Sequence, residues 1–90
     1  MKSRIIKTDG SIIYVEPENK KDFSCQELQE IVDGYFEIVQ LSSSEIMVVD
    51  EEGKIKGKPY NYQATLLANE AGIRDVIVGN VLVCGMEQVK

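Results

Sequence analysis

The chain alternates between two rhythms of apolar spacing. Arg4-Ile5-Ile6-Lys7-Thr8 and Ser11-Ile12-Ile13-Tyr14-Val15-Glu16 are rich in β-branched residues and are separated by Asp9-Gly10. Such runs predict paired strands, and Asp-Gly tolerates the positive φ of a type I′ turn, whose twist matches that of the strands it joins. Pro17-Glu18-Asn19-Lys20-Lys21 reads as a polar loop, because proline ends a ladder and nothing apolar follows. The spacing then becomes helical. Ser24 with Glu27 three positions on makes a capping box, Phe23 is placed to staple onto Leu28, and Leu28, Ile31 and Val32 share one face. These signals predict a helix over Cys25–Asp33, with Gly34 supplying a positive-φ residue past its end.

Phe36–Leu41 is the next strand and Ile46–Val49 the fourth, joined by Ser42-Ser43-Ser44-Glu45. Asp50-Glu51-Glu52-Gly53 reads as a tight turn into a short fifth strand, Lys54-Ile55-Lys56. Asn61 caps a second helix over Tyr62–Ala71, whose narrow face is Ala64, Leu67, Ala68 and Ala71, and Gly72 ends it. Asp75–Cys84 is either a hairpin or one strand bent at Gly79-Asn80. Three-residue arms are short for a hairpin, so the expectation is a bent or bulged strand, buried at the middle of the sheet. Gly85–Lys90 is a tail. The order β-β-α-β-β-β-α-β predicts an α+β fold: a mainly antiparallel sheet of five to six strands with two helices on one face. No repeat or linker divides residues 1–90, so one domain is expected.

Composition supports that picture: 43% hydrophobic and 28% charged residues suit a folded domain rather than a disordered chain. Net charge is −5, from fifteen acids and ten bases, which argues against direct binding to DNA or RNA. Its distribution says more. From Asp22 to Gly53 there are nine acids and no Lys or Arg, while the rest holds all ten bases and six acids. The plain reading is a solvated acidic surface. The sharper one is an acidic face, Glu27, Glu30, Asp33 and Glu37, offered to a basic partner; unpaired like charges on one short helix cost a few tenths of a kcal/mol. The apolar runs are too short to span a membrane and no signal-peptide core follows Met1, so a cytoplasmic protein without a membrane partner is expected. Cys25 and Cys84 form no CxxC pair, in keeping with a reducing compartment.

Catalytic chemistry finds little footing. There is no histidine to serve as base for Cys25 at the first turn of its helix, and the serines lack a nucleophile elbow. Asp50-Glu51-Glu52-Gly53 lacks the spacing of a calcium loop. Gly53-Lys54-Ile55-Lys56-Gly57-Lys58 is no phosphate loop, since three residues instead of four separate the glycines and Pro59 follows the lysine. Neither an enzyme nor a cofactor is expected. A second candidate surface is Lys54, Lys56, Lys58, Tyr60 and Asn61: alternating lysines on one strand face followed by tyrosines that stack on a base would suit a small anionic nucleotide. The plain alternative is that the lysines protect a sheet edge.

Four segments carry a family resemblance: Ile31-Val32-Asp33-Gly34-Tyr35-Phe36-Glu37-Ile38-Val39, Asp50-Glu51-Glu52-Gly53-Lys54, Gly57-Lys58-Pro59-Tyr60-Asn61 and Asp75-Val76-Ile77-Val78-Gly79-Asn80. In this order and spacing they resemble the domain of unknown function 3846 family, short proteins of bacteria, plasmids and phages. Asp33 stands where the family often has glycine, and Val76 where isoleucine is common. The resemblance implies a shared fold and a mobile-element setting in a bacterial host, and it transfers no catalytic residue. Gly34, Gly53, Gly57 and Gly79 then read as positions of turning or close approach. The leading functional expectation is a non-catalytic interaction domain acting on a basic host or element-encoded protein. The alternative is a module that sequesters a nucleotide. Uncovered sheet edges would also admit a homo-oligomer.

Overall fold

The computed structural model describes residues 3–89. Strands β1 (Ser3–Ile6), β2 (Ile12–Val15), β3 (Phe36–Gln40), β4 (Glu45–Asp50) and β5 (Val81–Gly85) form one antiparallel sheet in the order β2-β1-β5-β4-β3, with helices α1 (Cys25–Val32) and α2 (Tyr62–Glu70). This is the expected α+β domain with five strands. The first hairpin forms in a register running from Ser3 opposite Val15 to Ile6 opposite Ile12. Its turn is not type I′. Only Gly10 has positive φ, and Lys7 both accepts from the Gly10 amide and donates to the Ser11 carbonyl, giving a three-residue loop with a glycine bulge.

Helix α1 begins as predicted. Ser24 accepts from the Glu27 amide, the Glu27 carboxylate accepts from the Ser24 amide, and Phe23 and Leu28 are buried together. At its end Gly34 has the expected positive φ (158°), but the left-handed residue is Asp33 before it (φ 58°), where a short polar side chain tolerates that conformation. Helix α2 is capped by Asn61 and closed by Gly72 (φ 88°), with the Gly72 amide on Asn69 O and the Ile73 amide on Ala68 O. Its buried face is Ala64, Thr65 and Ala68; Ala71 is exposed, and the Thr65 hydroxyl replaces it inside by bonding Asn61 O and Ile77.

The helices lie on opposite faces of the sheet, not on one. Met47, Val49, Val81 and Val83 pack with Ala64, Ala68 and Ile77, whereas the alternate residues Ile46, Val48, Leu82 and Cys84 pack with Phe23, Leu28 and Val32. Side chains alternate across a strand, so the unbroken apolar run Val81–Cys84 demands a cover on both sides. β5 is central, as expected. The bend at Gly79 (φ 77°) is sharp enough that Val76–Val78 leaves the sheet and meets Pro59–Asn61 instead, through the Tyr60–Val78 bridge and the Asn61 amide on Ile77 O. No hairpin forms there. The C-terminal stretch is not a loose tail. Met86–Gln88 makes a 3₁₀ turn, Val89 bridges Phe23, and Gln88 accepts from the Ser3 hydroxyl. Lys90 lies outside the described residues.

Candidate functional site

The expected strand Lys54–Lys56 does not form. Residues 51–57 coil through consecutive turns, with the amides of Gly53, Lys56, Gly57 and Lys58 bonded to the carbonyls of Asp50, Glu52, Lys54 and Gly53. Gly57 (φ 71°) turns the chain, and the lysines have an attractor away from any sheet edge. The Asp50 side chain is wholly buried at the end of β4, and its Oδ2 lies 2.7 Å from Lys58 Nζ and 3.0 Å from Lys56 Nζ. Its Oδ1 accepts from the Glu52 amide at 2.8 Å. Burial opposes the charge on Asp50, but the bonds from Lys58, the Glu52 amide and Lys56 outweigh it and hold its pKa below the ordinary carboxylate value. The bond to Asp50 in turn raises the pKa of Lys56.

The same ammonium groups finish helix α1. Lys58 Nζ donates to Val32 O and Asp33 O, and Lys56 Nζ donates to Asp33 O. The last turn of α1 has no basic residue of its own, so the cations that answer its unpaired carbonyls and negative dipole end come from a loop some 25 residues away. Close approach explains two glycines here. A Cβ on Gly34 would collide with Lys56 Nζ and come within 2.9 Å of Asp50 Oδ2; one on Gly79 would come within 2.9 Å of Lys58 Cδ.

The four acids proposed as one face are separated. Glu27 is spent on structure: the amides of Ser24 and Glu18 both donate to its carboxylate and lower its pKa. Glu37 sits on the opposite face of the sheet, because it shares strand parity with Val39, which packs on the α2 side, while Phe36 packs on the α1 side. Glu30 and Asp33 do come together. With Glu52, Tyr35 and Lys56 they line a shallow depression of about 440 Å³ at the end of α1. Tyr35, 68% exposed, and Glu52 are absent from the sequence-based set; the only signal for them was their place in the acidic block beside Gly34 and Gly53.

The basic set does not converge on one surface either. Lys58 turns inward, Lys56 reaches Asp50 from the rim of the acidic depression, and Lys54 pairs with the Asp75 carboxylate, whose pKa it lowers. Tyr60 is exposed, with its ring centroid 6.4 Å from that of Tyr62. Asn61 is buried: its Oδ1 accepts from the Ala64 amide and its Nδ2 donates to Ile6 O and Gly79 O.

Fold and site together define a small α+β domain in which two helices sandwich an antiparallel sheet, with a buried ion-paired loop next to an acidic surface. The chain belongs to the family described as Domain of unknown function (DUF3846), whose model matches residues 5–89. No curated protein and no solved structure gives a significant match. The four segments that carry the family resemblance meet around Asp50. Asp33 and Gly34 abut its lysines, Gly53 and Lys58 belong to its loop, and Gly79 lies against the Lys58 stem.

Proposed function

We propose that this domain acts by binding rather than by catalysis, and that its contact surface is the acidic depression at the end of α1, offered to a basic host or element-encoded protein in a bacterial cytoplasm. One observation carries the reading. Glu30, Asp33 and Glu52 are exposed around Tyr35, and among the described residues none of the three carboxylates forms an ion pair. The lysines that reach this end of α1 are committed to Asp50 and the helix carbonyls. An arginine or lysine from a partner would meet three carboxylates and an aromatic face, the latter worth about 0.5–1 kcal/mol at an exposed site. Acids at a helix C-terminus work against its dipole, so their charge there is not accounted for by helix stability. Burial pushes the Cys84 thiol pKa up to about 11, which favours a packing role over nucleophilic chemistry. Two free cysteines fit a reducing compartment.

The test compares the wild type with a variant carrying Glu30→Lys, Glu52→Lys and Asp33→Asn, the last chosen because asparagine tolerates the left-handed conformation at that position. Affinity capture from host lysate is expected to retain a protein that salt releases and that the variant fails to bind. Capture that the variant leaves unchanged would refute the acidic contact. A nucleotide extracted from the eluate that also raises the Tm would replace it with sequestration.

A further inference from the structure

The outer edge of the sheet at β2 has no neighbouring strand among the described residues and, though short, it carries none of the residues that usually defend an edge. Ile12-Ile13-Tyr14-Val15 contains no lysine, proline or glycine and runs without a bulge against β1, while Ile12 and Ile13 are 46% and 42% exposed. We propose that two copies of this chain associate by pairing β2 with β2 in antiparallel register about a twofold axis at Ile13, joining their sheets into one of ten strands.

Charge selects this edge over the other. β3 carries Glu37 and lies within the stretch from Asp22 to Gly53, which holds nine acids and no Lys or Arg, so two β3 edges repel. The hairpin arm from Ser3 to Lys21 is nearly balanced, with Arg4, Lys7, Lys20 and Lys21 against Asp9, Glu16 and Glu18. Backbone parity fixes the rest. The Lys7–Ser11 bond makes Ser11, and hence Ile13, a residue whose backbone faces β1. Ile13 opposite Ile13 of the second copy is therefore a non-hydrogen-bonded pair, with Cα atoms about 4.5 Å apart. Those side chains meet on the α1 side of the sheet, where Ile5 and Val15 already pack, and Ile12 adds apolar surface on the other side with Ile6. The axis lies at the edge of the sheet remote from β3, so a dimer would present two acidic depressions. The pairing is independent of the binding reading above.

Two short strands bury less than the roughly 1,200 Å² of a standard interface, so association is expected in the micromolar range or weaker. Sedimentation velocity from about 10 to 500 μM should show a concentration-dependent dimer, with association at least tenfold weaker in Ile13→Lys and unchanged in Ile38→Lys on β3. In a Cys25→Ser background, Ile13→Cys should oxidise to a disulfide-linked dimer and Ile38→Cys should not, since a pair of that spacing suits a disulfide. Should Ile13→Lys fail to fold, the cross-link decides alone. A monomer throughout the range with no Ile13→Cys cross-link overturns the proposal. So does a dimer lost in Ile38→Lys but kept in Ile13→Lys.

Discussion

Replacing Asp50 by asparagine keeps the shape of the side chain and its acceptor for the Glu52 amide but removes the charge that two lysines share. Breaking a buried ion pair from one side typically costs about 3–5 kcal/mol. Two features reduce it here: Lys58 keeps the Val32 and Asp33 carbonyls, and Lys56, whose side chain is 37% exposed, can turn to water. The expected loss for Asp50→Asn is therefore about 2–3 kcal/mol, a large share of the 5–15 kcal/mol typical of small domains. It should lower the Tm by roughly 10–20 °C in a chain of this size. Urea unfolding followed by circular dichroism measures it, and the cycle with Lys58→Met should show a coupling of at least about 1.5 kcal/mol. The sign with pH is fixed by the direction of the Asp50 shift. A carboxylate held below its ordinary value near 3.8 contributes stability that is present above that value and lost as pH falls through the folded pKa. The gap between wild type and Asp50→Asn should therefore be full at pH 7 and close once acid protonates Asp50. A gap under about 0.5 kcal/mol at pH 7, or one that does not narrow in acid, would refute the assignment of Asp50 as the charged centre of this loop.

Asn61→Ala should cost about 2–4 kcal/mol by the same urea assay, because it uncaps α2 and leaves the buried Ile6 and Gly79 carbonyls without a donor. Gly79→Ala should lose about 1–3 kcal/mol, from a positive φ and from the added methyl reaching Lys58 Cδ. That loss should shrink when Lys58→Ala is combined with it, and strict additivity would disprove the contact. Thiol titration with an aromatic disulfide at neutral pH should register exposed Cys25 at once and buried Cys84 only after denaturant is added; two fast thiols would contradict the burial of Cys84.

What the sequence discloses follows the distance over which each feature is decided. The hairpin, the capping box at Ser24 and the Asn61 cap rest on neighbours within a few residues, and all three are readable by eye. The apolar run before Cys84 correctly announces a central strand. Its message that both faces need a cover is equally present, since Val81, Leu82, Val83 and Cys84 leave no polar side, and reading it in full would have put the helices on opposite faces. Lys54–Lys56 misleads because its local alternation imitates a strand while the conformation is set by Asp50 beneath it and by carbonyls at the end of α1.

The candidate site divides along the same line. A linear count of acids from Asp22 to Gly53 cannot distinguish a carboxylate that caps a helix from one that faces solvent, and it ignores the pleat, which sends Glu37 to the far side of the sheet. Charge density along the chain therefore overstated the acidic face from one end and missed it at the other, where Glu52 joins Glu30, Asp33 and Tyr35 only because the loop after β4 folds back onto α1. The lysines draw it there. Lys58 is withdrawn from the surface, and Lys56, although it lines the depression, is committed to Asp50, so neither forms an ion pair with Glu30, Asp33 or Glu52, and the ion-paired loop and the acidic depression are consequences of one arrangement. The depression should therefore lose its form in Asp50→Asn even though none of its own carboxylates is altered, and binding of a basic partner should weaken along with the fold.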